Sequence, residues 1–227
     1  MGLILSIETA TSACSVALHK NGTLIGIIEL VQENVHGQKL MPIIDSLFHQ
    51  IGVHPNELNA VAVSSGPGSY TGLRIGVSTA KGLAFGLDIP LIAVDTLDGL
   101  ARNARSFIEN ADFVVPMIDA RRMEVYCKVL NGKLREIAPL EPKIIDPASF
   151  KNFLSEGRVF FLGDSNEKVS ATIKHENAFF VPCLNSSRTI GEIAFKKYNA
   201  GQFEDLAYFE PNYLKEFRVI KSKKMLL

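Results

Sequence analysis

The chain has no tryptophan, only three cysteines in 227 residues, and no surplus of either charge, since 24 Lys and Arg balance 24 Asp and Glu. Each shortage excludes something. Cys14, Cys127 and Cys183 are odd in number and far apart, so neither a disulfide framework nor a CxxC zinc pattern follows, and free thiols fit a reducing cytosol. A formal net charge of zero disfavours unaided gripping of RNA or DNA, which draws on a basic surplus. The one basic cluster, KSKK at 221–224, reads as a solvated tail. No apolar run approaches the ~20 residues of a membrane span, and the opening MGLILSIE lacks the basic lead-in of a signal peptide. A cytoplasmic protein with no membrane partner is expected.

What is present is ordinary globular material, 47% apolar and 21% charged, enough for a core in one or two small domains. Leu3 to Glu8 reads as a buried strand, and Cys14 to Lys20 and Leu24 to Leu30 as a hairpin about Asn21-Gly22. Leu40, Ile43, Ile44, Leu47 and Ile51 recur at helical spacing. Pro42 is comfortable only in a first turn, so that helix either begins near Lys39 or begins at His36 and bends. A strand at Ala60 to Ser64, a helix from about Thr71 to Phe85, a strand at Pro90 to Val94 and a helix from Thr96 to Ile108, with Thr96 as cap, complete the first half. The pattern then restarts with strands at Phe113 to Asp119 and Met123 to Leu130, and Asn131-Gly132 marks another hairpin. A proline-rich passage follows, then a helix at Ala148 to Leu154, strands at Val159 to Leu162 and Phe179 to Val181, and a helix at Ile190 to Tyr198. We place the boundary so that residues 1–107 form one domain and 108–227 a smaller one whose last helix or tail packs back on the first.

The stretch SSGPGSYTGLRIGVSTAKGLAFG, Ser64 to Gly86, invites a phosphate reading. It fails the P-loop pattern, because the second glycine would fall on Thr71 or Leu73, and Thr71 also breaks the dinucleotide fingerprint. A tight turn at Gly66-Pro67-Gly68 is the simpler reading, although a strand leading through a loop into a helix leaves an anion site open. Ser78 in GVSTA lies two turns into a helix and cannot form a nucleophile elbow. No two His, or His and Cys, share a helical face at i,i+4. We therefore assign no catalytic, cofactor-binding or metal-ligating residue.

The helix is distinctive in shape. Gly72, Gly76, Ala80 and Ala84 recur every four residues, and an interior glycine costs up to about 1 kcal/mol against alanine, so something must compensate. Small residues at this spacing admit a close backbone. Apolar Leu73, Ile75, Val77 and Leu83 leave only Arg74, Ser78 and Lys81 as a polar stripe, so the helix is covered on more than one side, by its own domain or from outside.

The segments LILSIETATSACSVAL, HGQKLMPII, SSGPGSYTGLRIGVSTAKGLAFGLDIPLIAVDTLDGLA, MIDARRMEVY and PNYLK together resemble the TsaB family, accessory proteins of tRNA threonylcarbamoyladenosine synthesis once labelled glycoprotease-like. The resemblance covers most of residues 3–126 and the C-terminal PNYLK. It implies an α/β fold of the actin-like ATPase (sugar kinase, Hsp70-like) class, with two mixed-sheet domains, the second reduced. It also implies a catalytic TsaD-like partner, a TsaE-like ATPase, a homodimer when the chain is alone, and tRNA met only through the complex. The implied partner surface is the first two helices, and we place Leu40, Ile44, Tyr70, Gly72, Leu73, Gly76, Val77, Thr79, Ala80 and Leu83 on it. On this view Gly76→Arg abolishes association while leaving the fold largely intact.

Two departures separate the chain from the TsaD pattern. Where TsaD-like proteins carry V-N-H-x-E-x-H, the stretch VDTLDGL puts Thr96 and Leu100 at the metal-ligand positions. Where they carry an Asp-Glu pair, Ser12 and Ala13 stand. Glu8 and Ala10 replace the Asp and Gly of the D-x-G turn in actin-like ATPases, and the extra Cβ narrows the phosphate's approach. Asp119 and Arg121 read first as a salt bridge at the domain junction, His36 as a helix start or partner contact, and Tyr126 and Tyr213 as packing. The rivals to an accessory subunit are an actin-fold ATP-binding enzyme and a glycoprotease-like peptidase. The second lacks an activated nucleophile or a metal set.

Overall fold

A computed structural model describes residues 2–32 and 35–214; the basic run 221–224 and Lys215 of the PNYLK segment lie outside the described residues. Among the described residues the backbone forms two five-stranded mixed sheets and six α-helices. In the first, β1 (Leu3–Glu8) and β2 (Ala13–Lys20) pair antiparallel, as do β2 and β3 (Thr23–Val31), while β4 (Ala60–Ser64) and β5 (Leu91–Val94) join in parallel, giving the order β3-β2-β1-β4-β5. The second repeats this plan with β6 (Phe113–Asp119), β7 (Glu124–Asn131), β8 (Glu136–Ile144), β9 (Val159–Gly163) and β10 (Ala178–Val181), in the order β10-β9-β6-β7-β8. The restart after residue 110 is thus a second copy of one topology.

Strand alternation sends side chains to two faces. Leu5, Ile7, Val61 and Val63 point to one face of the first sheet, beneath α1 (His36–Ile51) and α2 (Tyr70–Leu87). Ile4, Ala60, Ala62 and Ile92 point to the other, beneath α6 (Ser187–Asn199). On the second sheet α3 (Thr96–Arg102) packs over Val114, Phe160 and Leu162, while α4 (Lys151–Glu156) and α5 (Asn166–Thr172) cover the opposite face through Leu154 and Val169. Helices α3 and α6 touch, so they form the seam between the two sheets.

Several local expectations change. Helix α1 begins at His36 with Pro42 inside it and exposed to solvent, where the ring meets no neighbouring core. The cap of α3 is Asp95, whose carboxylate accepts from the N–H groups of Leu97 and Asp98, whereas the Thr96 hydroxyl accepts from Gly66 N–H at 3.0 Å. The helix expected to reach Ile108 stops at Arg102 and continues as a 3-10 turn, Asn103–Ser106. The proline-rich passage is strand β8. It lies at a sheet edge with an irregular register opposite Val129, where missing N–H donors are tolerated. Asp119 does not pair with the Arg121 side chain; it accepts from Arg121 N–H and forms its ion pair with Lys168.

One ion cluster joins the halves. Lys128 of β7, its side chain 4% exposed, reaches Asp95 at 3.1 Å, Asp98 at 2.6 Å and Glu136 at 3.9 Å. Burial opposes its charge, yet Asp95 and Asp98 hold the ammonium above the ordinary lysine range. Lys128→Met keeps the stem but leaves these carboxylates without their cation. We expect a loss of roughly 2 kcal/mol, discounted because the carboxylates are partly solvated. Urea denaturation checks this, and an unchanged midpoint would refute the ascribed role.

Candidate functional site

The glycine-rich segment packs inward. Strand β1 ends at Glu8, and the turn Thr9–Thr11 that follows it is buried under α2. A Cβ at Gly72 would collide with the Thr9 carbonyl oxygen, one at Gly76 with Thr9 Oγ1, and one at Gly68 with the Ala10 carbonyl. Ser69 caps α2, its hydroxyl accepting from Gly72 N–H at 3.3 Å, and its own N–H donates to Ala10 O at 2.7 Å. The small ridge is therefore the seat for the chain's own β1–β2 turn.

This corrects the proposed surface. Leu40, Ile44, Gly72, Leu73, Gly76, Val77 and Ala80 are buried within the chain itself, and Tyr70, Thr79 and Leu83 are half-buried. Apolar and small residues faced the core together, because the sheet and the turn lie on adjoining sides of α2. Arg74, Ser78, Gly82, Phe85 and Gly86 face outward on α2, and Met41, Pro42 and Asp45 on α1. Phe85 is 79% exposed and Met41 51%, while the space beside Gly82 and Gly86 is open. The two helices lie side by side, with Gly37 against Ile75. An apolar Phe85 between two glycines was the overlooked signal. Lys81, read as part of the polar stripe, instead donates to the carbonyls of Ala207 and Phe209 and ties the C-terminal segment to α2.

Beneath the turn sits a buried carboxylate. Glu8 Oε1 accepts from Ala10 N–H at 2.6 Å and Ser64 Oγ–H at 2.9 Å, whereas Oε2, Thr9 Oγ1 and Thr11 Oγ1 have no partner among the described residues. Burial pushes Glu8 up to about 7 against these hydrogen bonds, which favour the charged form. His36, read as a helix start or a partner contact, begins α1 and lies 3.2 Å from Ala13 O through its Nε2. Tyr213 packs against Tyr70 at 4.7 Å between ring centroids, and Asn212 N–H donates to Ser65 O, so the 211–213 segment lies over the Gly66 loop.

A nucleotide does not fit this arrangement. Carbonyl oxygens of Thr9 and Ala10 press on the first turns of α2 where phosphate oxygens would need N–H groups, and a Cβ at Gly66 would meet Asn212 O at 2.6 Å. The described residues hold no group of three His, Cys, Asp or Glu able to take a metal ion. Thr96 and Leu100 serve the fold, the first bonding Gly66 and the second packing in the seam core. Burial pushes the thiols of Cys14 and Cys183 up to about 11 and that of Cys127 to about 12, so none is an activated nucleophile. No described helix is long and apolar enough to cross a membrane.

Residues 14–216 match the family model described as TsaD: tRNA N6-adenosine threonylcarbamoyltransferase. A curated relative in Haemophilus influenzae, "tRNA threonylcarbamoyladenosine biosynthesis protein TsaB", is 41% identical over 133 residues, 58% of this chain and 56% of the relative. The chain belongs to the TsaD family, on its TsaB branch. It spans little more than half the length of that TsaB relative. A solved structure from Pseudomonas aeruginosa, described as an uncharacterized protein with similarity to peptidase YEAZ, superposes with a TM-score of 0.83 at 28% identity, covering 95% of this chain and all of that one. At 10% identity and a TM-score of 0.53, the activator of 2-hydroxyisocaproyl-CoA dehydratase from Clostridium difficile, with bound ADPNP, shares the fold over 88% of this chain and 97% of its own. The fold of the TsaB-branch chain is the actin-like α/β architecture of two mixed sheets.

Proposed function

We propose that the chain is a non-catalytic accessory subunit of tRNA threonylcarbamoyladenosine biosynthesis in the cytoplasm. It would bind and position a TsaD-like catalytic subunit, with a TsaE-like ATPase joining the assembly and tRNA met through the complex. The observation that carries this reading is the use of Thr96 and Leu100 inside the fold, where a catalytic member needs two imidazoles. The outward face of α1 and α2 is the proposed docking surface, centred on Phe85, Gly82 and Gly86, and an apolar ring so exposed favours cover by another chain. Alone, the chain would pair with a second copy through the same face.

Gel filtration with a cognate TsaD-like subunit at micromolar concentration tests it. Wild type is expected to co-elute, and Gly82→Arg to weaken association by at least about 100-fold, an energy of ~2.7 kcal/mol. The substitution enters open space, so the circular dichroism and melting curve should stay as in wild type. A wild-type chain that never co-elutes would overturn the reading.

A further inference from the structure

Between the two sheets, where the end of α3 meets the start of α6, lies an open cavity of about 330 Å³ lined by Arg102, Arg105, Ser106, Arg188 and Glu192, among others. Arg102 Nε donates to Glu192 Oε2 at 2.8 Å, so the one carboxylate there is already engaged. Arg105 and Arg188 are exposed and have no acidic partner among the described residues. Three guanidinium groups against one carboxylate is a local positive excess in a chain whose formal net charge is zero. Among the described residues, Arg102 alone of the three makes an ion pair, to Glu192.

We propose that this cavity binds a phosphate group. Guanidinium is planar, permanently charged and presents paired N–H donors that match phosphate oxygens, so convergent arginines select phosphate over chloride. Arg105, from the 3-10 turn after α3, and Arg188, from the first turn of α6, supply the primary contacts, and Arg102, held by Glu192, supplies its remaining donors. The phosphate has two candidate sources of the same chemistry, a free nucleotide or an RNA strand. Phe107, next in the chain to the lining residue Ser106 and 41% exposed, packs against Phe160 at 5.5 Å between ring centroids.

The test uses the isolated chain, so it does not depend on association with any subunit. Melting temperature is measured against inorganic phosphate, ATP without metal, and a labelled oligoribonucleotide, at fixed ionic strength. A saturable rise with phosphate or ATP is expected, lost in the double variant R105A/R188A, whose exposed side chains leave the fold unchanged. Glu192→Gln should tighten phosphate binding by about five-fold by removing the competing carboxylate. Anisotropy with the oligoribonucleotide separates the sources. Binding whose salt slope falls by roughly one to two in R105A/R188A assigns the phosphate to RNA, and ATP binding without RNA binding assigns it to free nucleotide. No saturable effect of any probe at 10 mM-scale (~10 mM) concentration, or equal effects in wild type and R105A/R188A, would overturn the proposal.

Discussion

Gly76→Arg is expected to destroy the folded state rather than merely the association. A Cβ at this position already collides with Thr9 Oγ1, and the rest of the arginine would have to enter the space held by the β1–β2 turn. Moving that turn disturbs β1, the central strand of the first sheet, with β2 and β4 as its neighbours. Burying an unpaired cation there as well costs roughly 4 kcal/mol or more, a large part of the 5–15 kcal/mol that stabilises a typical domain. Gly76→Ala, with the Cβ alone, should cost about 1–3 kcal/mol. Solubility and urea denaturation of both variants, beside Gly82→Arg, decide the matter. If Gly76→Arg melted like wild type, the inward seating of α2 would be wrong and the ridge would be free after all.

The contrast between Gly76 and Gly82 shows what the chain's letters could and could not reveal. Period and punctuation exposed the strands well: Asn21-Gly22 does form the β2–β3 turn, with φ of +52° and +79°, and Ala60–Ser64 and Phe113–Asp119 fall where their apolar runs placed them. Those signals are local. The spacing of Gly72, Gly76 and Ala80 correctly demanded a close backbone, but spacing cannot say whose backbone it is. The answer, Thr9, is more than 60 residues away in the chain. Strand β8 was only half legible: Asn131-Gly132 signals the hairpin that leads into it, but Pro139 and Pro142 are compatible with a strand only at an edge with an irregular register, and edge status is a property of the whole sheet. Helix α5, with one buried residue, Val169, presents almost no periodic signal. The cavity of Arg102, Arg105 and Arg188 joins residues about 85 positions apart and was likewise unreadable.

Glu8 should give the chain a stability that falls as pH rises from about 4.5 to about 7. Its folded-state value of about 7 lies above its ordinary value of 4.5, so within that window the folded chain keeps a proton that the unfolded chain has released. Unfolding then gains from each step upward in pH, and above pH 7 the full cost of a buried charge is present. The shift corresponds to roughly 3 kcal/mol, because each unit is worth about 1.4 kcal/mol. Glu8→Gln removes the titration while its amide oxygen can still accept from Ala10 N–H and Ser64 Oγ–H. Urea midpoints at pH 5, 6, 7 and 8 should therefore nearly coincide for the two proteins at pH 5 and diverge by pH 8, with the variant the more stable. Taking the difference between the two proteins cancels other groups such as His19, whose lowered value, set by burial, gives the opposite slope. A constant difference across the series would mean that Glu8 keeps one protonation state throughout, and the carboxylate would then have to be charged and paired under the turn that seats α2.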